Sequence, residues 1–309
     1  MTDTPEVVVL GAGAMGTLVA GSLARAKQKV LLIGRGSSHV RAIQSGNLRI
    51  VEIDGRPRKA TVQTYSLPGW PVGARYLIVL VKSWATFRAV DAFSEGVLDP
   101  DVLVVTLQNG LGNLEAIHKA LPDHPRSSIT AGVTTEGALF EKPGQIRHTG
   151  LGITRIGVPP GGDRAAVERL CVMLTTAGLQ AEVAEDIQQA IWSKLAVNAA
   201  INGVTALAEV RNGEIVDDPA LRAVAERAAR EVAAVARTEG VEIGDPVAAM
   251  LEVATATAQN RSSMLRDLEL RRRTEVDAIH GEVARRGAAA GIDVPINQAM
   301  AAMIDARGW

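Results

Sequence analysis

The rhythm of apolar and polar positions changes once along this chain of 309 residues. In the first half, short and uniformly apolar runs alternate with helical stretches. Glu6–Leu10, Lys29–Ile33, Tyr76–Val81, Asp101–Leu107 and Ser127–Glu136 predict strands, and a helix from about Ala14 to Ala26 follows the first. Strands without a polar face suit a parallel sheet covered on both sides. The βα alternation predicts a doubly wound α/β domain. Leu48–Val62 holds Asp54-Gly55 between two extended runs and predicts a hairpin.

Past about Glu185 no strand-like run remains. Asp186–Val210 is one long helical pattern. A second has Asp217 or Asp218 as cap, Pro219 in its first turn and Gly240 as its stop. Pro246 to about Asn260, Leu268–Arg286 and Pro295–Ala306 predict three more. The expected division is an α/β domain over 1–185 and an all-helical domain over 186–309. No low-complexity linker separates them, so they are expected to meet directly across a cleft. The alanine-rich stretch RAVAERAAREVAAVAR packs either within its own domain or on a second copy, which leaves a homodimer open.

Composition narrows the function classes. Hydrophobic residues make up 47% and charged residues 22%, as in a soluble globular protein. Lys plus Arg (33) almost balances Asp plus Glu (34), so nothing draws the chain generally to nucleic acid or an anionic membrane. Cys171 is the single cysteine and reads as a small buried hydrophobe. The five histidines lack metal-ligand spacing. The start, MTDTPEVVVLG, lacks the pattern of a signal peptide, and no apolar run reaches the roughly 18 residues that span a bilayer. A cytoplasmic protein is the expectation.

The candidate chemistry begins at VVVLGAGAMG. Gly11, Gly13 and Gly16 stand in G-x-G-x-x-G spacing between a strand and a helix, with Ala12, Ala14 and Met15 between them. The first glycine suits the tight turn, the second lets a pyrophosphate approach, and the third allows close helix–sheet packing. The helix N-terminus offers unpaired N–H groups to the phosphates. After the second strand an NAD site usually places a carboxylate for the ribose 2′-OH. Here Arg35 stands with Ser37 and Ser38, which suits a 2′-phosphate and favours NADPH. Lys82 follows the next strand of the series, and Gln108, Asn109 and Gly110 the one after. Ligands of open parallel sheets gather at these carboxyl ends.

In the long helix, Lys194, Asn198 and Asn202 recur every four residues among apolar neighbours. Each step of four advances about 40° past a full turn, so the three form one narrow stripe. Asparagine is a poor helix former, and a solvated face would more often use Glu, Lys or Gln. If the stripe faces a cleft, a lysine there can hydrogen-bond a carbonyl and give it a proton. Ser262 and Ser263 precede the next pattern and read most simply as N-caps. Arg272, Arg273, Glu275 and Asp277 read most simply as a solvated face.

Taken together, GAGAMG, GRG, VKSW, LQNGLGN, GVTTEGA, PGQIRHTGLG, WSKLAVNAAIN, RNGE and SSMLRD…RRTEVDAIHG resemble the ketopantoate reductase (2-dehydropantoate 2-reductase) family over essentially the whole chain. The resemblance implies a Rossmann-type doubly wound sheet, then an all-α C-terminal domain resembling that of 6-phosphogluconate dehydrogenase. It implies reduction of ketopantoate to pantoate with NADPH in pantothenate and coenzyme A synthesis. Lys194 is implied as the catalytic acid, with Glu275 ordering it and the cofactor ribose. Asn198 and Asn202 are implied at the substrate hydroxyl, Ser263 at its carboxylate, and Asn212 nearby. Asn109 and Lys82 are implied near the nicotinamide ribose and the catalytic centre, with Asn109 also touching substrate. His280 before Gly281, Gly203 after Asn202, and ELRRR depart from the pattern. Another small 2-oxo acid as substrate is the alternative, and a non-catalytic NADPH sensor is a more distant one.

Overall fold

The computed structural model describes residues 4–65, 73–94 and 98–307. Met1–Asp3, where the leader reading begins, lie outside them. Two compact units are found: residues up to Gln108 with Asn113–Ile187, and Asn109–Gly112 with the residues from Gln188 on.

The first unit carries an eight-stranded sheet. Its strands are β1 (Val7–Leu10), β2 (Val30–Ile33), β5 (Gln63–Tyr65), β6 (Tyr76–Val79), β7 (Leu103–Thr106), β8 (Ile129–Thr134), β11 (Thr154–Ile156) and β12 (Ala181–Val183), in the order β12-β11-β8-β7-β6-β1-β2-β5. All neighbours are parallel except β11 with β8. The absence of a polar face has a direct cause. Val7, Val9, Val30, Leu32, Tyr76 and Ile78 enter one core, with α1 (Ala14–Arg25) and α5 (Arg164–Thr176). Their alternates Val8, Leu10, Leu31, Ile33, Leu77 and Val79 enter another, with α3 (Thr86–Ser94) and α4 (Asn113–Ala120). Both faces of the sheet are therefore dry. The short α2 (Ser38–Gln44) begins after β2, where the Ser37 hydroxyl accepts from Val40 N.

The expected hairpin forms as β3 (Leu48–Val51) and β4 (Pro57–Ala60), with Gly55 at φ +79°. It belongs to a second sheet, β4-β3-β10-β9, completed by β9 (Gly137–Lys142) and β10 (Gln145–Gly150). The alternation of β9 and β10 is too mixed with polar residues to read as strands. They stand only because β10 pairs with β3.

The second unit is helical: α6 (Ile187–Ala208), α7 (Glu214–Asp217), α8 (Pro219–Thr238), α9 (Pro246–Ala256), α10 (Ser263–Glu269), α11 (Glu282–Ala290) and α12 (Pro295–Ala306). Asp218, not Asp217, caps α8, accepting from Ala220 N at 2.7 Å and Leu221 N at 3.2 Å. The alanine-rich stretch packs inside its own unit: Ala225, Ala228, Ala229 and Ala236 lie in its core. In α6 every residue from Ala199 to Ala206 is buried, so this is a central core helix, dry all round over two turns.

Two expected helices are corrected. The run Leu268–Arg286 is not continuous. It breaks after α10, where Arg271 takes a left-handed φ of +52°, and resumes through a π turn at Asp277–Gly281. The α9 helix stops at Ala256 rather than near Asn260, with Thr257 Oγ1 donating back to Val253 O.

The two departures His280 and Gly203 meet in this core. His280 is fully buried, and its Nδ1 lies 2.9 Å from Asn297 Oδ1. A Cβ on Gly203 would stand 2.6 Å from His280 Nε2 and 2.5 Å from Met300 Sδ. The imidazole occupies the space that a larger residue at 203 would take. Burial pushes His280 down to about 4, against the pull of its Asn297 bond, so the ring is neutral at physiological pH. Gly203→Ala is expected to destabilise the protein by about 1–3 kcal/mol through overpacking, although alanine is otherwise the better helix former. Adding His280→Ala should relieve the part of the clash that the imidazole makes, leaving the contact with the flexible Met300 side chain. Denaturant unfolding should then show the double variant less destabilised than the sum of the single variants.

Candidate active site

The turn after β1 is shaped by its glycines. Gly11 has φ +125°, and a Cβ there would lie 2.5 Å from the Leu80 carbonyl carbon. A Cβ on Gly16 would collide with the Gly11 carbonyl. Gly13, the N-cap of α1, has open space where its side chain would be and offers no capping group. The first N–H groups of α1 are thus left for an anion, in the cradle that a dinucleotide phosphate requires. Ala12, Ala14 and Met15 are partly buried against the core beneath. Behind the turn, Thr17 Oγ1 lies 3.0 Å from His39 Nε2, while His39 Nδ1 accepts from Gly144 N at 3.0 Å. That wiring leaves the proton on Nε2. Burial lowers the His39 pKa, which keeps the ring neutral.

Arg35 is exposed after β2, and its guanidinium carbon lies 6.0 Å from the centre of the Trp84 ring. Ser37 is occupied as the cap of α2, and Ser38 is that helix's first residue. Lys82 is partly buried and leads a 3-10 turn, Ser83–Ala85. Gln108 ties two strand-end loops together: its Nε2 donates to Val81 O at 2.7 Å and to Thr86 Oγ1 at 2.8 Å.

Directly after Gln108 the chain joins the second unit. Asn109 accepts a 2.8 Å hydrogen bond from Lys194 Nζ and gives one of 3.4 Å to Glu275 Oε2. Leu111 N donates to Ala278 O at 2.8 Å. Gly110, at φ +80°, lies so close to the π turn that a Cβ would stand 2.7 Å from the Ala278 carbonyl carbon. Residues 109, 194 and 275, which are far apart in the chain, therefore form one cluster. Glu275 is buried at the point where the helix resumes, so the solvated-face reading of the Arg/Glu run fails for this residue. Arg273 keeps it, exposed and paired with Asp277 at 3.0 Å.

Burial pushes the Lys194 ammonium down to about 8, and the Glu275 carboxylate resists that fall. Along the same stripe Asn198 is partly buried and Asn202 buried. Asn212 is brought to the α9–α10 connection: its N donates to Asn260 O at 3.0 Å and its Nδ2 to Thr257 Oγ1 at 2.9 Å. Its buried Oδ1 has no hydrogen-bond partner among the described residues. Ser262 is the cap of α10, accepting from Leu265 N, and leaves Ser263 exposed in the first turn. Two other quoted segments meet elsewhere, with His148 Nε2 2.7 Å from Glu136 Oε2. Among the described residues there is no group of three or more metal-ligating side chains, and no helix is long and apolar enough to cross a membrane.

Comparison with known proteins matches this arrangement to one family. The profile of ketopantoate reductase PanE/ApbA covers residues 7–161, and that of its C-terminal region covers 186–308. The chain belongs to the ketopantoate reductase family. It is 38% identical over 300 residues to 2-dehydropantoate 2-reductase of Halobacterium salinarum, covering 97% of each chain. It is 35% identical to the Pyrococcus horikoshii enzyme, covering 98% of this chain and 97% of that one. A solved PanE/ApbA family ketopantoate reductase from Ralstonia eutropha superposes with a TM-score of 0.87 at 32% identity, covering 97% of each. D-mandelate dehydrogenase with NADH and anilino(oxo)acetate superposes at 0.91 and 25% identity, again over 97% of each. The Rossmann-type sheet and helical C-terminal region are therefore those of the ketopantoate reductases.

Glu275→Gln removes the charge that supports the Lys194 ammonium. In an NMR titration of lysine side chains, Lys194 is expected to titrate near 8 in the parent protein and at lower pH in the variant.

Proposed function

We propose that this ketopantoate reductase relative reduces 2-dehydropantoate to pantoate with NADPH, in pantothenate and coenzyme A synthesis. The observation that carries this reading is the Lys194 ammonium, held by Asn109 beside Glu275 and brought down to about 8. A group of that pKa is charged at neutral pH yet ready to lose its proton, which is what a general acid needs.

The residues fit NADPH. Gly11 to Gly16 would hold the pyrophosphate against the uncapped start of α1, and Arg35 the 2′-phosphate. Lys82, Asn109 and Glu275 would hold the nicotinamide ribose end. When bound, the cofactor supplies the hydride. Lys194 gives its proton to the substrate's carbonyl oxygen. Negative charge grows on that oxygen in the transition state, so a preplaced ammonium stabilises it more than the ground state. Asn198 and Asn202 hold the hydroxyl end without adding charge, with Asn212 nearby. The Ser263 hydroxyl donates to the carboxylate. The partners are small molecules rather than nucleic acid or a membrane, and we place the reaction in the cytoplasm.

The likeness to D-mandelate dehydrogenase supports a second reading, an aromatic 2-oxo acid as substrate. Arg35 in place of a carboxylate favours NADPH over NADH under either reading. Following NADPH oxidation with 2-dehydropantoate, pyruvate, branched 2-oxo acids and the 2-oxo acid of mandelate separates the two. The highest kcat/KM is expected for 2-dehydropantoate.

Lys194→Ala should lower turnover by at least about 10²-fold while NADPH still binds. In the parent enzyme kcat/KM for reduction should fall as pH rises past about 8, because the ammonium is then lost. Arg35→Ala should weaken NADPH far more than NADH; equal weakening would remove the 2′-phosphate role.

A further inference from the structure

The polar stripe of α6 has a fourth member. Thr205 stands eleven residues beyond Lys194. At 3.6 residues per turn that is about 20° past three full turns, which places it between Lys194 and Asn198 in projection. Unlike the other three it is completely buried. Its Oγ1 donates to Ile201 O at 2.7 Å and lies 2.7 Å from Ser262 Oγ. Ser262 Oγ in turn accepts from Leu265 N at 3.2 Å.

The protons of this chain can be placed. The Leu265 N–H is given to Ser262, and the Thr205 hydroxyl proton to the Ile201 carbonyl. The Ser262 hydroxyl proton then bridges the two side chains, so every donor is used. Ser262 is both the cap of α10 and the residue before Ser263. Its rotamer is fixed from one side by the helix it caps and from the other by Thr205. An ordinary cap would need only the first bond. The second pins the start of α10 to the helix that carries Lys194, Asn198 and Asn202.

We propose that Thr205 is a positioning residue for the substrate carboxylate, acting through Ser262 to fix the first turn of α10 and the Ser263 hydroxyl. This rests on the reading of Ser263 as the carboxylate ligand. Rigid support of this kind is what holds a binding group in productive geometry.

Thr205→Val keeps the shape and removes the hydroxyl, while Thr205→Ser keeps the hydroxyl. Steady-state kinetics of NADPH oxidation with 2-dehydropantoate reads both, beside Ser263→Ala and the Thr205→Val/Ser263→Ala double variant. Thr205→Val is expected to raise the KM of the 2-oxo acid roughly tenfold, as for a lost buried hydrogen bond. The kcat and the KM for NADPH should stay within about twofold, and Thr205→Ser should restore the parent KM. In the Ser263→Ala background Thr205→Val should add nothing further. An unchanged KM in Thr205→Val, with Ser263→Ala raised, overturns the proposal and leaves the Ser263 reading standing. An unchanged KM in Ser263→Ala overturns both. Additive effects in the double variant, or failure of Thr205→Ser to rescue, also overturn it, because the hydroxyl would not then act through Ser263.

Discussion

A lysine ammonium withdrawn from water is the constraint around which the second unit is organised. Desolvation disfavours its charge, and without compensation the group would simply stay neutral. Glu275 supplies the opposing charge, and Asn109 stands between them with its oxygen towards the ammonium and its nitrogen towards the carboxylate. Burial is what brings the ammonium down to about 8, and the Glu275 charge opposes that fall.

The cluster demands unusual local structure from its surroundings. Glu275 becomes available because a helical run breaks at Arg271 and restarts in a π turn, a form often found at functional sites. Asn109 is available because Gly110 can take a positive φ against Ala278. The α6 helix carries Lys194 one turn before the stretch Ala199–Ala206 in which every residue is buried. In the first unit glycine serves the opposite purpose. At Gly13 it leaves space open, whereas at Gly11 and Gly16 it lets backbone segments come together.

Much of this was legible in the sequence where one physical cause acts locally. Uniformly apolar strands announce a sheet covered on both faces, and the glycine spacing after β1 announces the turn. The stripe on α6 announces itself because asparagine is misplaced on a solvated helix. Causes that act between distant segments were not legible. The β9 and β10 strands are polar enough to look like loop and exist through pairing with β3. The Arg/Glu run reads as a solvated face because its other members, Arg272, Arg273 and Asp277, form one, and only the fold reveals that Glu275 is buried. Gly203 and His280 looked like two unrelated oddities; in space they are one accommodation.

The segment Asn109–Gly112 lies between β7 and α4 in the chain but belongs with the helices that follow Ile187. This makes the polypeptide cross from one unit to the other and back before the final crossing. A helical half grafted from one relative onto the sheet of another would arrive without its own asparagine and seat on the π turn. Recombination within such a lineage must therefore carry this short stretch along with the distant helices, or preserve its fit to them, if the contacts of Asn109 with Lys194 and Glu275 are to be inherited.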